Sequence, residues 1–566
     1  MLVVNDFVSD GLLISDSFIY SNISDIVVDY FHCENTHFED SFGSFRLTKG
    51  SVVVTNFNIS HSTGSLFVLD NVESSLFEQI ELNHLHSANV FHFVGTIASM
   101  SNISILYSDV GIVFESDNSL ILVDSFYSIG LNSSTSFKVD SSNVYVSNFY
   151  STTSRSVSML NGSSSVVRLN DSHISNLFAS CVVEVFDVSL AINYFKISNS
   201  DLTSGIMFME DTNATFLSVE FQQINENLKY PNDFNVIHLL NIRGGSLYVQ
   251  NSSFGHIDSN LFVLNSSDVS FQTVQISNFF GSSIFNIADS RLVLSSIILT
   301  HSNADVLLTC LHCTGSMDNL LIENSSFTSL YHLDYGTMSF NTTSLTKVNT
   351  SLVLEIFNSN VTVNHLEADA FRTYKYFLYS ELSSVRLSSI SITNIRDASG
   401  PLFEFYQSEL SAVDLCLSEI ECLLFSFTDS SVFLSGLSLS NLIVSPVVVN
   451  SNSNLAIFNS SFHSIEVQVL VSVYNLSNVT VEGSKFSMIY GSSFFDFNDS
   501  TFALTLSRFN NLNLKHFLSL SSSTASLSNS SIIDVKSSKP LVKIDDSVVT
   551  VKLIEIEDVV LKTLLI

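Results

Sequence analysis

The chain has 566 residues, 45% of them hydrophobic and only 13% charged, with 47 phenylalanines, no tryptophan and a formal net charge of −32. Glu, Lys, Arg and Ala, on which long amphipathic helices depend, are scarce, whereas Val, Ile, Phe, Thr, Ser and Asn favour strands and turns, so an all-β class is expected. The acidic excess excludes nucleic acid as a partner, because a phosphate-tracking surface must be basic, and it disfavours docking on anionic lipid.

At the N-terminus, Met1-Leu2-Val3-Val4-Asn5-Asp6 shows neither a basic segment nor a long apolar one, so no signal peptide is read there. No uncharged apolar run reaches the ~18 residues a transmembrane helix needs. The six cysteines are too few for a disulfide framework in a chain of this size.

Apolar residues then recur at a fixed interval along the chain. Val144, Val167, Leu190 and Ala214 form one series, and Ile174, Ile197 and Phe221 another. The next step, to Leu247, is about ten residues too long, and the excess holds Lys229, Tyr230 and Pro231, so an insertion is expected near 225–245. Leu247, Val269 and Leu292 resume the series. A second irregularity is expected at 300–318, between Leu292 and Leu320, around Cys310-Leu311-His312-Cys313. Phe403 and Phe405, Phe425 and Phe427, and Val447 and Val449 form alternating pairs.

The C-terminal third is the most regular. Leu455, Val479, Phe502, Ala525 and Val549 keep one phase, as do Phe462, Phe486, Phe509, Ile532 and Ile556. Ile465, Ile489, Leu512, Val535 and Val559 keep another, and Val471, Phe495, Leu518 and Val542 a fourth. A period of 22 to 24 residues is too short for a helix-pair repeat and has period-2 runs inside it. A leucine-rich repeat shares the period, but return segments such as Ser282-Ser283-Ile284-Phe285-Asn286-Ile287 alternate as strands do. The fold expected is therefore a right-handed, single-stranded parallel β-helix of roughly 24 coils, a rod on the order of 110 Å long, continuous over residues 1–566. Phe, Ile, Leu and Val are expected inside, and Ser and Asn outside or in the turns. The apolar ends lead us to expect a fragment of a longer chain.

Candidate sites are few. Phe371-Arg372-Thr373-Tyr374-Lys375-Tyr376-Phe377-Leu378-Tyr379 clusters aromatic and basic residues, a chemistry suited to sugars or acidic partners. Half of its aromatics are expected inside, and Arg372, Tyr374, Lys375, Tyr376 and Tyr379 are the candidate binding residues. Eighteen Asn-x-Ser/Thr triplets occur, Asn22, Asn58, Asn251, Asn324, Asn459 and Asn529 among them, and they are candidates for glycosylation. Asn251, Asn324, Asn459 and Asn529 are read as occupying one kind of turn. Cys310 and Cys313 lack the second ligand pair that zinc requires, so a buried thiol or local disulfide is expected there, and likewise for Cys416 and Cys422. No metal and no cofactor is expected.

The repeat resembles the pectin-lyase-like β-helices along nearly all of the chain. That resemblance implies, for its enzymes, clustered carboxylates with an Arg or Lys base, or Gly-His-Gly and Arg-x-Lys motifs. Gly-His-Gly is absent, Asp545-Asp546 has no arginine near it in sequence, and the arginines (Arg168, Arg243, Arg291, Arg386 and Arg508 among them) are scattered. The Ser/Asn/Phe-rich coils are also similar to the repeats of polymorphic outer-membrane-type surface proteins, with Gly244-Gly245-Ser246-Leu247 as the echo of their tetrad. The reading is a non-catalytic, secreted or cell-surface glycoprotein rod, a spacer or adhesin whose partners are glycans or surface proteins. The alternative is a polysaccharide lyase or glycoside hydrolase.

Overall fold

The computed structural model describes every residue except 15–16, 23–24, 39–43, 227–237, 259, 371, 396–398, 445 and 562–566. It is a parallel β-solenoid of about 23 turns, and among the described residues it contains no helix. The return segment 282–287 lies in the strand Asp268–Ala288, as the β-helix reading expects and the leucine-rich alternative does not. The chain divides into two compact units, Met1–Phe285 and Asn286–Ile566.

The ladders expected around Leu455 and Phe462 in the C-terminal third are present. Within the second unit Leu455 pairs with Val479, Val479 with Phe502, and Phe502 with Ala525. Phe462, Phe486, Phe509 and Ile532 lie over one another in the same way. Each coil shields the inward residues of its neighbours, which is how a 23-residue coil with no core of its own buries apolar area. In the last coil, Val551 and Ile556 hold ladder positions but are 59% and 49% exposed.

Aromatic rings stack along these ladders. In the first unit Phe67, Phe91, Phe114 and Phe137 stack face to face, with centroids 5.2, 5.1 and 4.7 Å apart. Phe77 and Phe126 meet that stack edge-on. In the second unit Phe462, Phe486 and Phe509 stack at 4.5 and 4.8 Å, and Phe494 meets them edge-on. Offset stacks and edge contacts are the two favourable ring geometries, and a coil spacing near 4.8 Å imposes the first of them.

Each coil turns where residues take the left-handed conformation. In one coil of the first unit these are Asn102, Tyr107 and Asn118, with φ of 55°, 46° and 51°. Asn, Asp, Ser and His fill many of these corners, since short polar side chains tolerate that region best. At a corner the regular ladder is interrupted, and a serine repairs it. Asn118 N–H donates to Asp140 O in the next coil, whereas Ser119 N–H donates to the hydroxyl of Ser142 at 3.0 Å. Ser142 N–H donates in turn to Ser165 Oγ at 3.1 Å. These serines lie in the turns, where serine was expected, but they are buried there and not exposed. A hydroxyl beside a corner of this kind satisfies an N–H that would otherwise be buried without a partner.

Two irregularities were expected, with different outcomes. Ala214 pairs with Leu247, a step of 33 residues and so about ten more than a coil, as expected; Lys229, Tyr230 and Pro231 lie outside the described residues. At 300–318 the register is unbroken: Leu292 pairs with Gly315 and Ile297 with Leu320, each at the ordinary step. Gly315 holds the ladder position without a side chain, and a Cβ there would collide with the Leu292 carbonyl, so the apolar series loses a beat while the coil does not. A third pairing also shifts. Phe425 and Phe427 lie on Val448 and Asn450, not on Val447 and Val449, and Asn450 is buried in the ladder between Phe427 and Val473.

Candidate binding site

The strand Arg372–Glu381 carries the aromatic and basic cluster. Thr373, Phe377, Leu378 and Ser380 point inward, and Arg372, Tyr374, Lys375, Tyr376 and Tyr379 are all exposed or half-exposed. The expected even split of aromatics is therefore wrong for the described residues, of which Phe377 alone is an inward ring; Phe371 is outside them. The cause is a β-bulge. Thr350 pairs with Thr373 but Leu352 with Tyr376, so Ser351 faces both Tyr374 and Lys375. The extra residue shifts the alternation and turns consecutive side chains outward.

The exposed rings form a connected patch. Lys375 Nζ lies 5.0 Å from the Tyr376 ring centre, and Tyr376 and Tyr379 are 5.7 Å apart. Tyr379 approaches Phe357, which approaches His332, both at 5.7 Å. Carboxylates alternate with the rings: His332, Glu355, Tyr379 and Glu404 share one outward column, and Asp334, Phe357, Glu381 and Tyr406 the next. Burial and a 3.0 Å hydrogen bond from its hydroxyl to Glu381 push the Tyr379 phenol up to about 12. Burial, with Glu404 beside it, also raises Tyr376. Both phenols are donors at neutral pH. Beneath this region the core holds a small void of about 20 Å³ bordered by Tyr331, Phe340 and Phe377.

A second feature of the same unit lay beyond the sequence reading. An open groove of about 660 Å³ crosses five successive coils. Its floor is the outward column Arg386, Ser411, Phe433, Ala456 and Thr480, each paired with the next. Ser384, Glu409, Ser431, Asn454 and Asn478 run alongside. Small floor residues make the surface concave, and the Phe433 ring stands 42% exposed within it. Among the described residues, the side chains of Arg386, Glu409, Ser411, Ser431 and Thr480 form no hydrogen bond or ion pair. Elsewhere outward polar groups are engaged between coils: Asp124 accepts from Ser147 and Asn148, and Asp369 from Thr393 and Asn394. Those bonds hold the carboxyl of Asp369 below the ordinary carboxylate range.

The glycosylation candidates divide. Asn251, Asn324, Asn459 and Asn529 are exposed and left-handed, whereas Asn58 lies half-buried in a strand and donates to Glu81 at 3.3 Å. They do not all share one turn: Asn459 and Asn529 occupy a corner column with Gly483 and Leu506, but Asn324 sits in another, with His301 and Lys347. Cys310 and Cys313 form a buried disulfide with Cα atoms 5.7 Å apart. Cys416 and Cys422 are not joined, and Cys416 is exposed, which corrects its expected burial. Desolvation raises the buried Cys33 thiol to about 11 and those of Cys181 and Cys422 to about 12, so these thiols are poor nucleophiles.

No protein-family model, curated protein or solved structure matches this chain.

Proposed function

We propose that the chain is a non-catalytic β-solenoid of the cell surface or extracellular space, a structural spacer that carries an adhesin-like binding surface. The observation that supports this most is the use made of outward carboxylates. Asp29, Asp124, Asp318 and Asp369 each accept hydrogen bonds from Asn, Ser or Thr one coil on. They serve as links between coils, whereas acid–base chemistry needs carboxylates that converge on a substrate. The Cys310–Cys313 disulfide suits an oxidising compartment. The parallel stacking and the coil length support kinship with the pectin-lyase-like helices.

Two measurements test the reading. Incubation with neutral and acidic polysaccharides, with and without calcium, is expected to release no new reducing ends and no unsaturated products; turnover of any of them would overturn the non-catalytic assignment. An antibody against the chain is expected to stain intact cells of the source organism, and staining only after permeabilisation would overturn the location.

A further inference from the structure

We infer that Tyr127 and Tyr150 are a site of oxidative modification, a carbon–carbon cross-link between their phenol rings that joins two successive coils when the chain meets a peroxidase and hydrogen peroxide. The inference goes beyond the binding surface and rests on the extracellular reading only for the source of that oxidant. Tyr127 lies in the strand Leu120–Ile129 and Tyr150 in Asn143–Thr152, directly opposite each other in a parallel pair. Both side chains face outward, with ring centres 5.2 Å apart and planes within 10° of parallel. The register that places them together is pinned from inside. Phe126 stacks on Phe149 at 5.2 Å just before the pair, and Ser128 Oγ donates to Ser151 Oγ at 2.9 Å just after it, all four side chains being buried. A slip by one residue would bury the tyrosines and expose the phenylalanines, so the pair persists as long as the coils do. On the far side the edge of the His173 ring meets Tyr150 at 5.4 Å, which blocks one direction in which that ring could turn away.

Held in this way, the two rings need no diffusional encounter to react. The Tyr127 ring is 39% exposed and so within reach of the oxidant. One electron and one proton leave each phenol, and the radicals that result carry spin on the ring carbons beside the oxygen. One such carbon of each ring couples to form the C–C bond. Each joined carbon then passes its hydrogen as a proton to its own ring oxygen, which restores the phenol. In sum the chain loses two electrons and two protons, and these reduce one hydrogen peroxide to two waters. The centres of two directly joined rings lie a little closer than the strand spacing of about 4.8 Å, so the bond fits between adjacent coils without breaking the ladder. Tyr376 and Tyr379 offer no such match, since they share one strand and are tilted by 43° at 5.7 Å. The cross-link closes a covalent loop one coil long, which restricts the unfolded chain as a disulfide does.

The test is treatment of the dilute, full chain with a peroxidase and hydrogen peroxide, followed by digestion and mass spectrometry. The expected product is a single chain in which the peptides of Tyr127 and Tyr150 are joined and together lighter by two hydrogen atoms. Tyr127→Phe and Tyr150→Phe should each abolish the joined peptide, and Tyr376→Phe should leave it unchanged. Each variant keeps its ring, and unaltered thermal melts would show that it folds. In the urea-unfolded chain the share of cross-links at this pair should fall. Failure of these two peptides to join in the folded chain would overturn the proposal, as would an equal share of cross-links there after unfolding. Because the purified chain is supplied with oxidant, either result would leave the extracellular reading standing. Staining of cells only after permeabilisation would overturn that reading and leave the reactivity of the pair as it is.

Discussion

Ser484 Oγ accepts the backbone N–H of Ser460 at 3.2 Å and donates to the carbonyl of Glu482 at 3.1 Å, so one buried hydroxyl serves two coils. The same arrangement recurs from Ser484 to Ser507 and from Ser507 to Ser530. These serines form a polar seam inside an otherwise apolar wall.

Removal of one hydroxyl from that seam strands a buried N–H. Ser484→Ala is expected to cost about 1–3 kcal/mol, more than loss of an average hydrogen bond, because the Ser460 amide keeps its desolvation penalty. Urea denaturation would read the loss, and hydrogen exchange should show the Ser460 amide losing protection first. An unchanged midpoint with an unchanged Ser460 exchange rate would refute the seam's role.

The phenylalanine stacks should be costly to interrupt. Phe486 contacts rings in the coils before and after it, so Phe486→Ala is expected to cost about 3–5 kcal/mol and Phe486→Leu distinctly less. A loss for Phe486→Leu no larger than its small change in volume implies would mean that ring geometry contributes nothing beyond volume, and equal losses for the two variants would refute the expectation.

Burial beneath the bulge is imperfect. Among the described residues the hydroxyl of Tyr331 is buried without a hydrogen-bond partner. Tyr331→Phe removes that group and keeps the ring, and is expected to leave stability unchanged or raise it by about 1 kcal/mol. A loss of more than that would reveal a partner for the hydroxyl.

His332 supplies a pH signature. Its Nδ1 lies 2.7 Å from Glu355 Oε2, and that hydrogen bond raises the imidazole above its ordinary value of 6.5. A raised folded value means that the contribution is complete below the unfolded value of about 6.5 and fades as pH climbs through the folded value. Proton NMR should show His332 titrating above 6.5 in the native chain and returning towards it in Glu355→Gln. A titration unaffected by that substitution would exclude the pair as the cause.

Much of this was legible in the sequence, for a definite reason. Inward positions such as Phe462, Phe486 and Phe509 must be apolar and must recur at the coil length, so composition and period together reveal them. Legibility failed where a ladder position is not apolar. Gly315 made a regular coil look broken, and the uniform run Val447-Val448-Val449 gave no alternation with which to detect that Asn450 points inward. The buried serines were missed because serine reads as a surface residue, although Ser119, Ser142 and Ser165 keep the spacing of the core. The outward aromatics at Tyr374 and Tyr376 depended on a bulge, which adds one residue without a composition signal. The groove is made by single residues from five coils, several of them chosen for small size, and no contiguous motif records it.

The left-handed corner followed by an inward hydroxyl also bears on how the Asn-x-Ser/Thr triplets should be counted. Asn459-Ser460-Ser461 and Asn529-Ser530-Ser531 are corners of this kind, with Ser460 and Ser530 buried. At these corners the buried serine is the middle residue of the triplet, so the fold accounts for the asparagine and the first serine, and the hydroxyl that completes the triplet is that of Ser461 or Ser531. Such corners supply only some of the acceptors, since Asn58 lies within a strand, and attached sugar has to be weighed by mass spectrometry at each asparagine.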